Sequence, residues 1–381
     1  MAADPVVSNI SAVQRAGTKL VDVTYNVVAD YPLSVALQIS SDAGATFTVP
    51  ATTTSGAIGT GVTAGVGKLI TWNAGTDWGG QVSATMRFKV TATDIIDTAV
   101  FSLIPAGSFT MGNSVAADTD ITDAPTHMVT VSAFYMAQNL VTKAEWDAVR
   151  TWGLANGYSD LVAGSGKASN HPVQMVSWYQ TVKWCNARSQ QEGLTPVYYT
   201  NDAQTTVYKT GDVNVTNAQV KWSANGYRLP SEAEWEKAAR GGLSGKRFLW
   251  GDTISHSQAN YYASSGWSYD LSAGAVNYYH PSYTAGGTSY TSPVGAFAAN
   301  AYGLHDMAGN VWQWCWDWYG SYDPAVLTDP RGQAAWRTLR VDRGGGWNDF
   351  ADGCRVANRG RRNPSNSVNN IGFRVARSSV Q

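Results

Sequence analysis

The sequence predicts a two-domain protein in which an all-β sandwich precedes an α+β domain. Three observations predict this fold class. Apolar and polar residues alternate in the N-terminal quarter, helix starts with capping side chains occur only beyond it, and tryptophans become frequent from Trp146 onward. The composition and the residue pattern of the sequence change after residues 94–97, so the predicted domains span residues 1–96 and 97–381.

The strands of the first domain are indicated by alternating side-chain polarity. The alternation holds over residues 20–28 and returns over residues 35–39 and 86–90, while a stretch rich in Gly, Ser and Thr occupies residues 52–67. Half-buried antiparallel strands joined by turns have this pattern, because successive side chains of a strand point to opposite faces. The segment therefore predicts a β-sandwich, and it is similar to immunoglobulin-like modules.

Three helices of the second domain are predicted from their capping residues. Thr142 is followed three residues later by Glu145, and Ser231 by Glu234, which is the pattern of a capping box; Ser177 opens a third helix. Between and after these helices lie long stretches rich in Gly, Ser, Tyr and Asn, such as residues 252–300. Loops of that length need aromatic packing, side-chain hydrogen bonds or a bound ion to hold them.

Composition and charge exclude several classes of partner. The formal net charge is -1 and charged residues make up 14% of the chain, so no general field attracts nucleic acid or an anionic membrane. No apolar run has the length of a membrane span, and residues 1–5 lack the regions of a signal peptide. The oligomeric state and the compartment stay open at this point. Arginines cluster near the C-terminus, and we interpret them mainly as buried, paired side chains: Arg355, Arg359, Arg361, Arg362, Arg374 and Arg377.

The cysteines do not indicate a disulfide framework. Cys185, Cys315 and Cys354 are an odd number, and the first two lie in tryptophan-rich segments. Buried cysteine behaves as a small apolar side chain, so we expect Cys185 and Cys315 to be part of the core.

Five motifs, in chain order, resemble those of the formylglycine-generating enzyme (sulfatase-modifying factor) family. They are residues 104–112 (IPAGSFTMG), 171–173 (HPV), 227–236 (YRLPSEAEWE), 302–314 (YGLHDMAGNVWQW) and 372–374 (GFR). The resemblance covers about residues 101–377 and implies a C-type lectin-like fold for the second domain.

The enzymes of this family, as the resemblance implies, oxidise a substrate cysteine with Cu(I) held between two thiolates in the C-terminal segment. The first of these cysteines falls on Asp349 here, and the second is present as Cys354. A hard carboxylate oxygen does not replace a thiolate as a Cu(I) ligand, so the sequence predicts that the protein is not an enzyme of this kind. The iron site of the related sulfoxide synthases is also not expected, because the histidines are scattered along the chain: His127, His171, His256, His280 and His305.

No cofactor is required by this interpretation, but the resemblance implies a structural calcium held by Asn and Asp oxygens and backbone carbonyls. The candidate ligands are Asn260 with Asp270 at one site, or Asn310 with neighbouring backbone carbonyls at a second site. The family's usual glutamate after Val-Trp is Gln313, which removes one charge from the second of these sites.

Some domains of this family serve as variable proteins of diversity-generating retroelements, in which adenines of AAC codons near the C-terminus are rewritten. This chain resembles them. Such changes never produce Lys, Glu, Gln, Met or Trp, and residues 348–371 contain none of these types. We expect a variable region of about residues 343–377. Its backbone is predicted to be held by three buried anchors, which we call the frame: Trp347, Cys354 and Phe373. The predicted ligand-binding residues are Asn348, Asp349, Phe350, Asp352, Gly353, Asn358, Gly360, Arg361, Arg362, Asn363, Val368 and Asn369.

The sequence therefore favours a non-catalytic protein that binds a protein or glycan ligand on another cell or molecule through a diversified C-terminal surface. Display at a cell surface, outside the cell or on a phage would suit this function. Two alternatives remain open: a copper-dependent oxidase or related enzyme of the same superfamily, and a surface module that binds nothing. Composition does not separate them, because Asn, Ser and Gly are common both in ordinary loops and in adaptable binding surfaces.

Overall fold

The computed structural model describes residues 5–28, 33–94, 100–272, 274, 278–286, 288–322, 328–332 and 337–379. The predicted domain boundary, between residues 96 and 97, lies outside these ranges and stays a prediction. Within the described ranges, no helix is long and apolar enough to cross a membrane.

The N-terminal part consists of two antiparallel sheets that share one apolar core. The elements are β1 (Val6–Gln14), β2 (Leu20–Val28), β3 (Leu33–Ser40), β4 (Thr54–Gly56), β5 (Gly59–Val62), β6 (Gly65–Asn73), the short helix α1 (Ala74–Asp77) and β7 (Arg87–Asp94). The strands of the two sheets run in the orders β1-β2-β6-β4 and β5-β3-β7. Tyr25, Ile39 and Trp72 from both sheets meet in the core, as the alternating pattern predicts.

The second part combines three helices with many short strands. The elements are β8 (Phe101–Ile104), β9 (Gly107–Met111), β10 (His127–Val131), β11 (Phe134–Ala137), α2 (Lys143–Ala155), α3 (Trp178–Gln191), α4 (Glu232–Arg240), β12 (Tyr262–Ala263), β13 (Tyr278–Tyr279), β14 (Thr284–Ala285), β15 (Thr288–Ser289), β16 (Trp312–Trp318), β17 (Arg340–Arg343), β18 (Gly360–Arg362), β19 (Ile371–Gly372) and β20 (Ala376–Ser378). Two single turns of 3₁₀ helix lie at Asn217–Gln219 and Pro281–Tyr283.

The predicted helix starts are confirmed. The side chains of Thr142 and Ser231 accept from the backbone N–H groups of Glu145 and Glu234, and each glutamate accepts in return from the capping residue's N–H. Ser177 caps α3 through the N–H of Gln180. Each cap satisfies N–H groups that the helix leaves without an internal partner.

Among the described residues, two large apolar clusters and a small one around Ile121 and Ala124 form the core of the second part. Around α2 and α3, the parallel rings of Trp146 and Trp184 lie 6.0 Å apart, and Phe373 meets Trp184 edge-on at 5.3 Å. Around α4, the core includes Trp235 and Cys354. Phe373 and Cys354 are thus buried, as predicted for the frame, and both lie within or beside the C-terminal segment.

Candidate functional site

Within the C-terminal segment (residues 343–377), the part from residue 343 to residue 372 begins and ends on one mixed sheet. The strand order is β18-β17-β16-β19, with β19 parallel to the central strand β16 and β17 antiparallel to it. The chain leaves β17 at Arg343, forms the turns around residues 347–357, adds β18 to the sheet edge, and returns at Ile371. The two ends of this part, β17 and β19, therefore both pair with the buried strand β16.

Two glycines allow the segment to turn closely against the core. Gly344 and Gly345 have φ values of 99° and 75°, in the left-handed region that favours glycine. A Cβ atom at Gly345 would lie 2.9 Å from the Sγ atom of Cys354, and one at Gly344 would lie 3.1 Å from the ring of Trp235. These residues therefore serve a close approach of the backbone to buried side chains.

The donor set at the family's copper position does not fit copper. The Oδ2 atom of Asp349 accepts from the indole N–H of Trp312 at 2.8 Å and from the amide of Asn370 at 3.1 Å. Burial raises the pKa of the Asp349 carboxyl, and burial also raises the pKa of the Cys354 thiol well above its ordinary value. One carboxylate and one thiol that resists ionisation are not the two soft thiolates that Cu(I) needs.

Gln313, at the position of the family's glutamate, joins three parts of the core. Its Oε1 atom accepts from the indole N–H of Trp235 at 2.8 Å and from the guanidinium of Arg374 at 2.6 Å. Its Nε2 atom donates to the backbone oxygen of Asp306 at 2.8 Å. The fully buried amide is therefore a structural crosslink rather than a metal ligand.

Two of the predicted calcium ligands have side-chain oxygens that already accept protein hydrogen bonds. The carboxylate of Asp270 accepts from the hydroxyl of Tyr261 at 2.5 Å and from the backbone N–H of Ser264 at 2.8 Å. The Oδ1 atom of Asn310 accepts from the N–H of Ser292. The amide of Asn260 donates to a backbone carbonyl. This set offers few free oxygens to a calcium ion, and bound calcium stays a prediction.

The described residues contain no group of three or more His, Cys, Asp or Glu side chains arranged to hold a metal ion. The fold does bring together His256 and His280, which the sequence separates, with ring centroids 4.8 Å apart. Each Nε2 atom faces a backbone carbonyl, that of Tyr261 or of His256. Burial lowers the pKa of both histidines, so they are neutral core residues near neutral pH.

Five of the six C-terminal arginines are buried or partly buried and paired, as predicted, whereas Arg361 is exposed. Arg355 pairs with Asp120 and Asp118, and Arg359 pairs with Glu232. Each of the others donates a hydrogen bond: Arg361 to the hydroxyl of Tyr319, Arg362 to the carboxylate of Asp342, Arg374 to the side-chain oxygen of Gln313, and Arg377 to the backbone carbonyl of Asn225. The cluster therefore stabilises the fold and does not form an anion site.

Most of the predicted ligand-binding residues reach the surface. Those that are exposed are Asn348, Phe350, Arg361, Asn363 and Asn369, and those that are partly buried are Asp349, Asp352, Asn358, Gly360, Arg362 and Val368. Gly353 is the exception, because it is buried between Asp349 and the ring of Trp312. We therefore exclude Gly353 from the binding surface.

Trp347 also differs from its predicted role as a buried anchor. Its side chain is only partly buried, and its indole N–H donates to the backbone oxygen of Asn369 at 3.0 Å. The hydrogen bond fixes the ring, while part of its surface remains open to a ligand. Trp347 is therefore both part of the frame and part of the surface.

An aromatic patch, which the sequence did not predict, surrounds Trp347. We define it as Tyr262, Tyr279, Trp347 and Phe350. Tyr262 and Tyr279 pair across strands β12 and β13 with ring centroids 4.4 Å apart; Tyr262 lies 5.3 Å from Phe350, and Tyr279 lies 6.0 Å from Trp347. Tyr279 is 38% exposed and Phe350 is 41% exposed. The sequence shows that residues 252–300 are rich in tyrosine. It does not show that this loop lies beside Trp347.

A groove of about 600 Å³ has Asn369 in its lining. Its lining includes Ser165, Ser177, Ser365, Ser367, Asn369 and Met175. Met175 has a left-handed backbone with φ of 60° and is 41% exposed, although its N–H donates to the oxygen of Val368. Such strain in a residue other than glycine often occurs at binding sites. The C-terminal segment thus contributes residues to both the groove and the aromatic patch.

The chain belongs to the family of proteins with a sulfatase-modifying factor enzyme 1-like domain, whose model matches residues 88–379. It is 32% identical over 282 residues to the chaperone protein LppX of Paenibacillus barcinonensis, covering 72% of this chain and 88% of that protein. It is 29% identical over 289 residues to the formylglycine-generating enzyme of Streptomyces coelicolor, covering 72% and 87%. Among solved structures, Treponema denticola variable protein 1 superposes with a TM-score of 0.52 at 27% identity, covering 73% of this chain and 94% of that one.

These comparisons confirm the predicted family and the formylglycine-generating-enzyme-like fold of the second domain. The matched region begins at residue 88, inside β7, a strand of the N-terminal sheets. The family contains enzymes as well as proteins with other names, so membership by itself does not decide whether this chain is catalytic.

Proposed function

We propose that this protein is a non-catalytic ligand-binding protein whose C-terminal segment, residues 343–377, presents its binding surface. The observation that carries the proposal is the donor set at the copper position. Asp349 is held by Trp312 and Asn370, and Cys354 is a buried thiol with a raised pKa. Without two thiolates, the scaffold lacks the ligands for copper-dependent oxidation.

We further propose that the surface is diversified, as in the variable proteins of diversity-generating retroelements. The similarity to the Treponema denticola protein supports this proposal, and so does the composition of residues 348–371. Exposed substitutions typically change stability by no more than about 0.5 kcal/mol, so the frame tolerates variation at its surface. The neighbouring DNA tests the proposal: a reverse transcriptase gene beside a near-copy that differs only at adenines is expected.

The N-terminal sandwich fits the role of a spacer or attachment module of immunoglobulin-like type. Its two sheets enclose a core of their own, separate from the cores of the second part. A protein built in this way suits display at a cell surface, outside the cell or on a phage, where the ligand is a protein or glycan of another cell or molecule.

The proposal predicts the outcome of a formylglycine assay. The full chain, supplied with Cu(I) and oxygen, should form no aldehyde on a cysteine-bearing sulfatase peptide, as measured by mass spectrometry, whereas the Streptomyces coelicolor enzyme should convert it. Asp349→Cys should bind Cu(I) far more tightly than the parent chain, because it restores the second soft ligand, and Asp349→Ser should not. Aldehyde formation by the parent chain would refute the proposal.

A further inference from the structure

We propose that the second domain binds an uncharged oligosaccharide along a surface that runs from the aromatic patch, past Asn369, into the groove. This inference rests on the proposed function, because it names the class of ligand for the same surface. The site assigned here is wider than the C-terminal segment, since it includes Tyr262, Tyr279 and the groove wall around Met175.

The aromatic patch offers apolar ring surface in a fixed arrangement. Interplanar angles of 59° between Tyr262 and Tyr279 and of 41° between Tyr279 and Trp347 make the rings a twisted row rather than a flat plate. The indole hydrogen bond to Asn369 and the β12–β13 pairing hold the row in place. Pre-set rings bind at low entropic cost, and they offer an apolar surface to the C–H face of a pyranose ring.

The groove continues this surface with groups that hydrogen-bond to hydroxyls. Ser365, Ser367 and Asn369 line it from the C-terminal segment, and Ser165 lines it from the loop before α3; Ser177 also lines it but is buried and caps α3. Short hydroxyl and amide side chains both donate and accept, as a ligand with a hydroxyl on most of its carbons requires. Asn369 connects the two regions, since its backbone oxygen holds the indole of Trp347 and its side chain lines the groove.

The charges at the surface favour a neutral ligand. Asp212 is the only charged side chain that lines the groove in the described part of the chain. Near the patch, the carboxylate of Asp349 is directed inward to Trp312 and Asn370. The neighbouring Arg362 is paired with Asp342. A phosphorylated, sulfated or uronic acid ligand would therefore meet a carboxylate in the groove without a cation to balance it.

A glycan fits these observations better than a folded protein partner. Protein interfaces place aromatic residues at the centre and use charged side chains at the rim to steer association. Here the rings adjoin, through Asn369, a groove lined by uncharged hydroxyl and amide groups with a single carboxylate among its described lining residues. That arrangement suits an elongated chain of sugars.

The test is binding of the full chain to an array of neutral and anionic glycans, followed by calorimetry with cellohexaose, mannohexaose, chitohexaose and hexagalacturonate. At least one neutral chain should bind with a Kd of about 1 mM or lower. Trp347→Ala and Tyr279→Ala should each weaken that binding about tenfold, which corresponds to the loss of one ring contact. Phe47→Ala is the matched control, because Phe47 is 38% exposed in the N-terminal part.

Several results would overturn the inference: no neutral glycan binds, hexagalacturonate binds better, or the Trp347 and Tyr279 variants bind as the parent does. Thermal melting of each variant checks that it is folded, and Trp347→Phe should recover part of the affinity. A protein partner whose binding needs Trp347, with no glycan bound, would refute this inference and leave the proposed function intact. Aldehyde formation on the sulfatase peptide would instead refute the proposed function.

Discussion

Gln313 is the residue on which a buried polar network of Trp235, Arg374 and Asp306 depends. The amide oxygen serves both Trp235 and Arg374, and the amide nitrogen serves the backbone of Asp306. Arg374 is fully buried, and burial lowers its pKa to about 10, so the guanidinium depends on such acceptors to keep its charge. An uncharged amide at this position thus stabilises a buried cation with an oriented dipole.

Gln313→Ala should therefore lower the free energy of unfolding by about 3 kcal/mol, because it leaves a buried charged donor and an indole N–H without their acceptor. Urea denaturation measures the loss. Gln81→Ala, at an exposed glutamine, should have a small effect. An unchanged midpoint for Gln313→Ala would show that the network is not needed for stability.

The loop that carries β12, β13 and the 3₁₀ helix Pro281–Tyr283 supports half of the aromatic patch. Two histidines of this loop are buried, with the ring of His256 5.1 Å from that of Tyr278 and the ring of His280 4.6 Å from that of Tyr283. Burial lowers the pKa of both histidines, although Asp270 partly opposes the shift at His256. The packing of this element therefore requires neutral imidazoles.

The stability of this element should depend on pH. A folded-state pKa below the unfolded value means that the unfolded chain takes up the proton first, so the free energy of unfolding is full above about pH 6.5 and falls as pH decreases below it. Urea midpoints between pH 7.5 and pH 5 measure the slope. The double variant His256→Phe, His280→Phe should have a shallower slope. An equal slope in parent and variant would contradict this origin, and midpoints at pH 8 control for changes unrelated to titration.

At the scale of the whole molecule, the apolar cores are separate along the chain. One cluster contains residues of the N-terminal sheets up to Val90, and the other clusters contain residues from Phe101 onward. Trp72 belongs to the first and is almost fully buried, and Trp184 belongs to the second and is fully buried. Separate cores predict separate unfolding transitions.

Calorimetry should therefore resolve two transitions that respond to different substitutions. Trp72→Ala should lower the transition of the N-terminal part, and Trp184→Ala that of the second part, each by about 3 to 5 kcal/mol because a large buried side chain is lost. Each variant is the control for the other. A single transition that both variants shift equally would mean that the two parts unfold as one cooperative unit.

The sequence by itself determined much of the second domain. Capping boxes are local, so Thr142 and Ser231 marked helix starts without any knowledge of the fold. The expectation that the copper site is missing also rests on residue identity alone, since Asp349 supplies no sulfur. The internal pairing of the arginines was predictable, because a buried cation needs a partner.

Only the tertiary structure decided which side chains lie at the surface and which of them meet. Trp347 was expected to be buried and is partly exposed, while Gly353 was expected at the surface and is buried. Tyr262 and Tyr279 join Trp347 and Phe350 because strands distant in sequence come together beside the C-terminal segment. Local patterns describe the geometry of an element, whereas exposure and contact depend on the distant segments that pack against it, and no local pattern contains that information.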